Sequence, residues 1–176
     1  MCGSYQSLIV AGLKMKTKAL FIILVLGASA TVFGDRQTIN DIEGLWKLIE
    51  WHHEGAVLTP PQIGGRLSLT GGTILYIVFR QVEGDSLYNN GYGSYSIEGN
   101  EYRYGYEMST RITVQGEDQE VWADSRPEAR YLAEPNGTRL EILDPETRTK
   151  GLVLEGDRLT WVEESRPLRV YERVGR

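Results

Sequence analysis

The sequence predicts an all-β fold, an antiparallel up-and-down barrel of about eight to ten strands that follows an N-terminal signal peptide. Turn signals recur about every eight to twelve residues after residue 40, and the runs between them alternate in polarity. Helical periodicity is nearly absent from the same region. Closing such a sheet into a barrel removes the edge strands that would otherwise pair between molecules.

The first 30 residues have the pattern of a secretory signal peptide. Residues 15–18 form a basic stretch, residues 19–27 form an apolar run, and Ala-Ser-Ala at residues 28–30 matches a cleavage site. Met15 opens directly onto the basic stretch and is the natural start, so residues 1–14 need not be translated. The alternative is an uncleaved membrane anchor, but the apolar run is too short to cross a hydrocarbon core of about 30 Å.

Cleavage after residue 30 leaves a lead-in at residues 31–40 and one barrel domain at residues 41–176. All 24 acidic residues but only 16 of the 19 basic residues follow the cleavage site, so the mature chain carries a net charge of −8. This charge disfavours binding to nucleic acid. The single cysteine, Cys2, lies in the removed segment. We therefore expect a periplasmic or secreted protein without stable membrane insertion.

The strands are delimited by Gly, Asn, Asp and Pro residues between the alternating runs. The first strand covers residues 44–53, and the last covers residues 168–174 after Pro167. Five hairpins lie between them, and they pair residues 65–70 with 73–81, 94–97 with 101–104, 112–114 with 119–122, 129–133 with 138–143, and 152–154 with 158–162. This pattern predicts neighbouring strands that are consecutive in the chain.

Two segments lack a clear strand pattern, namely residues 54–64 and residues 82–91. We predict that both are long loops at one end of the barrel, where mobile segments usually carry binding. The one helix signal is a capping box at Ser125 and Glu128. A strand at residues 129–133 is favoured over that helix, because the Pro-Asn-Gly turn that follows needs a strand on each side.

Gly44-Leu45-Trp46, at the start of the first strand, is one of several segments that point to a known family. The others are residues 47–51, 67–78, 93–100, 154–160 and 170–174. In this order and spacing the chain resembles the bacterial lipocalin-like domain family over most of residues 41–174, although residues 115–130 match no part of it. The resemblance implies a calycin-type barrel with a small-molecule cavity. It further implies structural roles for Gly44, Trp46 and Arg173, with Trp46 plugging the closed end and Arg173 lying across its indole.

Tyrosines are concentrated in the middle of the chain. Tyr102, Tyr104 and Tyr106 alternate along one predicted strand and therefore share one face, whereas Glu101, Arg103 and Glu107 occupy the other face. If the tyrosine face points inward, it supplies rigid aromatic walls and phenol donors for a ligand. The alternative is that these tyrosines serve only as strand residues with solvated hydroxyls. The candidate ligand-binding residues of aromatic type are Tyr76, Tyr95, Tyr102, Tyr104, Tyr106 and Trp161.

The first strand adds two polar candidates. If Trp46 points inward, the two-residue period turns Glu50 and His52 inward as well, where they could polarise a ligand. The competing interpretation is a bulge that turns Ile49 and Trp51 inward and leaves Glu50 and His52 in water. His52 and His53 point to opposite faces of a regular strand and cannot chelate one ion, so no metal site and no cofactor are expected.

Three functions remain open from the sequence. The leading one is an exported binding protein for a small, partly apolar or aromatic molecule. The second is a cofactor-free isomerase or cyclase that uses Glu50, His52 and tyrosines as acid and base. The third is an interaction module whose barrel is filled by its own side chains. No Gly-x-Ser-x-Gly or similar catalytic motif is present, so the interior of the barrel must discriminate among them.

Overall fold

The computed structural model describes residues 37–175, which form a short 3₁₀ helix followed by eleven β-strands. The elements are the 3₁₀ helix Ile39–Ile42 and strands β1 (Gly44–His53), β2 (Ala56–Leu58), β3 (Ile63–Thr70), β4 (Thr73–Val82), β5 (Asp85–Glu98), β6 (Glu101–Gln115), β7 (Asp118–Asn136), β8 (Arg139–Leu143), β9 (Gly151–Glu155), β10 (Arg158–Glu163) and β11 (Arg166–Arg173). The signal peptide predicted at residues 1–30 lies outside the described residues. None of the helices within residues 37–175 has the length and apolar character needed to cross a membrane.

The strands close into an antiparallel barrel. From β3 to β11 each strand pairs with the next one in the chain, and β1 pairs with both β3 and β11. Ten strands therefore form the closed wall, while the short β2 pairs only with the end of β1. The predicted fold class, an all-β up-and-down barrel of about eight to ten strands, is confirmed, and its architecture is consistent with a lipocalin-like barrel.

The predicted loop at residues 82–91 is wrong, because this segment is strand on both sides of a tight turn at Glu83 and Gly84. Two of its residues, Asn89 and Gly91, are buried, and Asn89 accepts a hydrogen bond from Tyr76. A Cβ at Gly91 would lie 2.6 Å from Cε1 of Tyr76, so a glycine is needed where that ring crosses β5. Gly91, which resembles a turn residue in the sequence, is thus required by the Tyr76 ring that packs against it.

Two other uncertain segments also belong to the sheet. Residues 54–64, predicted as a loop, contain β2 and the start of β3. Residues 115–130, which matched no part of the family, lie at the end of β6 and in the long strand β7. The strand predicted at residues 129–133 is confirmed, and the competing helix from Ser125 does not form.

One end of the barrel is closed by a tryptophan and an arginine. Trp46 is fully buried, and its Nε1 donates a hydrogen bond of 2.9 Å to the Ile42 carbonyl. The Arg173 guanidinium lies 4.1 Å from the centre of the Trp46 ring and donates to the Glu43 carbonyl at 2.6 Å. At Gly44, with φ near 143°, a Cβ would lie 2.7 Å from Nη1 of Arg173. The contact that the resemblance implied between Arg173 and Trp46 is therefore present.

Candidate ligand-binding site

The tyrosine face of β6 points into the barrel, as the alternation predicts. Tyr102, Tyr104 and Tyr106 are each at most 8% exposed. The acidic side chain of Glu101 on the opposite face pairs with Arg103 and Arg130 at the outer surface. This arrangement follows from burial costs, because an unpaired buried charge is far more costly than a buried phenol.

The inward tyrosines pack against one another and fill the closed half of the barrel. The ring of Tyr104 stacks on Tyr131 with 5.2 Å between centroids, and it contacts Tyr102 at 5.7 Å and Tyr106 at 5.6 Å. Tyr95 extends the cluster to the closed end, where its hydroxyl donates to Glu43 Oε1 at 2.5 Å. Rings at these separations are in direct contact, so no ligand fits between them.

Burial changes the acidity of these phenols. It raises the pKa of Tyr95 to about 12, and the hydrogen bond to Glu43 acts in the same direction. Burial raises the pKa values of Tyr102 and Tyr104 well above their ordinary value, and neighbouring phenols add to the effect. The pKa of Tyr171 is raised for the same reason, since its ring is fully buried. All four phenols therefore favour the neutral form in the folded state.

We expect the barrel to lose stability steeply above about pH 10. The unfolded chain ionises its phenols near pH 10, whereas the folded barrel keeps these protons to higher pH. The folded state then binds more protons than the unfolded state, so stability is complete below about pH 10 and falls as pH rises through the folded pKa values. Across this range, the tyrosinate absorbance of the buried phenols should rise only as the far-ultraviolet circular dichroism signal of the fold is lost. Complete phenol ionisation with an unchanged dichroism spectrum would contradict the packed cluster.

The opposite end of the barrel retains a cavity of about 150 Å³ that opens at the rim. Its aromatic lining comes from Tyr76, Tyr106 and Trp161, which belong to β4, β6 and β10. The Tyr76 hydroxyl donates to Asn89 Oδ1 at 3.0 Å and lies 2.7 Å from Ser109 Oγ. These contacts hold the phenol in place, so the floor of the cavity is rigid and partly polar.

Four cationic side chains border the same cavity, namely Arg111, Arg126, Lys150 and Arg169. Its single acidic lining residue, Glu163, lies 3.7 Å from Lys150 and is half exposed. The cavity therefore combines an aromatic floor with a positively charged rim.

Two arginines flank an inward tryptophan next to the cavity. The Arg169 guanidinium lies 4.2 Å from the Trp51 ring centre, and the Arg80 guanidinium lies 5.8 Å from it. Within residues 37–175, the buried Nε atoms of both arginines have no hydrogen-bond partner. Burial lowers the pKa of Arg80, and the charge of Arg169 contributes in the same direction. Around Trp51, the barrel thus holds two guanidinium groups whose Nε atoms have no hydrogen-bond partner among the described residues.

The structure separates the predicted aromatic candidates into two groups. Tyr76, Tyr106 and Trp161 line the cavity at the open end. Tyr95, Tyr102 and Tyr104 also point inward, but they belong to the packed cluster. The predicted inward direction is therefore confirmed for Tyr102, Tyr104 and Tyr106. Of the six aromatic candidates, only Tyr76, Tyr106 and Trp161 line the cavity.

Of the two alternatives for the first strand, the structure has the bulge, and the candidates Glu50 and His52 do not point into the barrel. The register of β1 against β11 shifts between Leu48 and Glu50, and this bulge turns Trp51 inward at 3% exposure. Glu50 pairs with Arg158 on the outer surface, and His52 Nε2 lies 3.3 Å from Glu50 Oε2. His52 borders a wide, open groove of about 610 Å³ at the rim and does not line the barrel cavity. An acid–base pair of Glu50 and His52 inside the barrel is therefore excluded by geometry.

The cations at the rim were missed in the sequence because they come from different strands and connections. Arg126 lies in a segment that could not be assigned, and Lys150 precedes β9. The inward position of Arg169 could have been predicted, because Arg173 was expected to lie inside the barrel over Trp46. The two-residue period then places Tyr171 and Arg169 on the same inner face, as the pairing of Trp51 with Arg169 bears out.

Comparisons of the chain with protein-family models, curated proteins and solved structures find no match in any of the three. Membership of the lipocalin-like family therefore stays a prediction. In the part of the chain that the structure describes, no group of three or more His, Cys, Asp or Glu is placed to hold a metal ion.

Proposed function

We propose that the chain is an exported binding protein that holds a small, partly aromatic molecule at the open end of its barrel. The observation that carries this proposal is the cavity of about 150 Å³ with Tyr76, Tyr106 and Trp161 in its lining. Concave sites with aromatic walls and a few fixed polar groups are typical of small-molecule binding. Closed barrels of this size commonly enclose one small ligand.

The size of the cavity limits the ligand. An enclosed space of about 150 Å³ accepts a benzene-sized molecule. Because this cavity opens at the rim, a longer molecule can insert one ring and leave its remainder outside. The packed tyrosines below the cavity set its depth, so the ligand does not reach the Trp46 end.

A second candidate function is an interaction module, and two observations favour it. Buried side chains from most strands form one core cluster inside the barrel. In addition, the outer face of β4 to β6 exposes Leu75, Tyr92 and Met108 in one row of paired residues, and each is more than 40% exposed. Contiguous exposed apolar side chains often mark contacts with other macromolecules. The cavity favours the first function, because a pure interaction module needs none.

Isothermal titration calorimetry with single-ring aromatic probes tests the proposal. Benzoate and benzamide are titrated into the mature protein, and we expect at least one to bind with a stoichiometry of one. Trp161→Leu should weaken that binding by about tenfold, the usual effect of losing one aromatic contact. Tyr92→Leu on the outer face is the matched control and should bind as the parent does. Absence of binding by both probes, or equal binding by Trp161→Leu, would remove the support for a ligand site.

Export makes a separate prediction about the N-terminus. Because Ala-Ser-Ala at residues 28–30 ends the apolar run, we expect a signal peptidase to cut after Ala30. N-terminal sequencing of the protein recovered outside the cytoplasm should read from Thr31. A mature chain that retains residues 24–26 would contradict the periplasmic or secreted location.

A further inference from the structure

We infer that the ligand is an aromatic carboxylate whose anionic group is bound by Arg169, with Arg126, Arg111 and Lys150 around it. This inference rests on the proposed function, because it assigns a ligand class to the same cavity. The aromatic floor recognises the ring, and the cationic rim recognises the charge. Each part of this assignment follows from contacts of the described residues.

The charge of the cavity lining is unbalanced. Four cations and one carboxylate line it, and the carboxylate of Glu163 is closest to Lys150. The ion pairs found between described residues include none with Arg111, Arg126 or Arg169. The mature chain as a whole is acidic, with 24 acidic residues. A cluster of arginines without acidic partners is therefore a local departure from the composition of the chain.

Arg169 is the central residue of this cluster. Stacking on Trp51 at 4.2 Å fixes the plane of its guanidinium. Its Nε is buried and, among the described residues, meets no acceptor. Arg169 also lines the cavity, and a planar carboxylate there matches the geometry of its guanidinium better than a single hydroxyl does.

The ring and the charge can be recognised together because their partners are neighbours. Trp161 and Tyr106 line the cavity beside Arg169 and Arg126. Burial raises the pKa of the Tyr106 phenol, and the nearby positive charges of Arg169 and Arg126 act in the opposite direction. A benzoate-sized molecule therefore reaches the guanidinium with its carboxylate while its ring contacts Trp161.

Calorimetry with charged and neutral probes of equal shape tests the inference at pH 7. Benzoate should bind about tenfold or more tightly than benzamide, as expected for charge-assisted hydrogen bonds. Raising sodium chloride from about 50 mM to about 500 mM should weaken benzoate binding and leave benzamide binding unchanged, because salt screens the arginines. Phenyl phosphate and inorganic phosphate complete the series.

Variants assign the effect to individual residues. Arg169→Gln should abolish the preference for benzoate over benzamide, and the exposed Arg126→Gln should reduce it by about threefold or more. Arg103→Gln removes an equal charge from the outer face and is the matched control, so it should leave benzoate binding unchanged. Because Arg126 is exposed, its variant remains informative even if Arg169→Gln fails to fold.

The possible outcomes distinguish the two proposals. Equal binding of benzoate and benzamide overturns the anionic assignment and leaves the aromatic binding function standing. Absence of binding by every probe overturns both. Tighter binding of phenyl phosphate or inorganic phosphate than of benzoate overturns the carboxylate class. A benzoate preference that Arg126→Gln and Arg169→Gln leave intact overturns the roles of these residues.

Discussion

Replacing Trp46 by alanine is expected to lower the free energy of unfolding by about 3–5 kcal/mol, the usual cost of emptying a large buried aromatic site. Trp46 is fully buried, accepts the Arg173 guanidinium on its ring face and donates to the Ile42 carbonyl. The substitution removes all three interactions and opens the closed end of the barrel. Urea unfolding of the parent and the variant measures the difference.

Trp122→Ala is the matched control for this experiment. Trp122 is 40% exposed on β7 and lies beside Arg111, so its loss should cost less than about 1 kcal/mol. A loss below about 1 kcal/mol for Trp46→Ala would mean that Trp46 does not plug the barrel. It would also mean that the alignment of Gly44-Leu45-Trp46 with the lipocalin-like family is misplaced.

Replacing Tyr104 by alanine is expected to lower the free energy of unfolding by a similar amount, about 3–5 kcal/mol. Its ring stacks on Tyr131 and contacts three further aromatic rings, those of Tyr102, Tyr106 and Trp161. From the sequence, Tyr104 was a candidate ligand-binding residue. In the structure Tyr104 is a packing residue below the cavity, so its replacement should act mainly on the free energy of unfolding.

Tyr92→Ala is the matched control, because it removes a tyrosine from the outer face and leaves the packing inside the barrel unchanged. Tyr92 lies on the outer face of β5 and is 44% exposed, so its replacement should change stability by less than about 1 kcal/mol. Equal effects of Tyr92→Ala and Tyr104→Ala in urea unfolding would contradict a packed tyrosine cluster inside the barrel.

The sequence predicted the wall of the barrel well because local signals define it. Glycine turns such as Gly71-Gly72 and Glu155-Gly156-Asp157 specify hairpins, and alternation specifies which side of each strand is buried. Tyr102, Tyr104 and Tyr106 point inward for this reason. These features depend on residues that are close in the chain, so they can be read without knowledge of the partner strands.

The interior was harder to predict because it depends on features that have no local signal. The bulge between Leu48 and Glu50 reverses the side on which Glu50 and His52 lie, and no turn residue marks it. Whether Tyr104 lines a cavity or fills the core depends on the volumes of rings from β7 and β10. The positively charged rim gathers side chains from distant parts of the chain, and only pairing between strands brings them together.

The most direct test of the ligand site is a benzoate titration followed by two-dimensional ¹H–¹⁵N nuclear magnetic resonance. The signals observed are those of the four tryptophan indole groups. Trp161 lines the cavity and Trp51 stacks on Arg169, whereas Trp46 lies beneath the packed tyrosines at the closed end. We expect the Trp161 and Trp51 signals to shift in a saturable manner while the Trp46 signal stays in place. A saturable shift of Trp46 without Trp161, or no shift of any indole signal, would contradict a ligand site at the open end of the barrel.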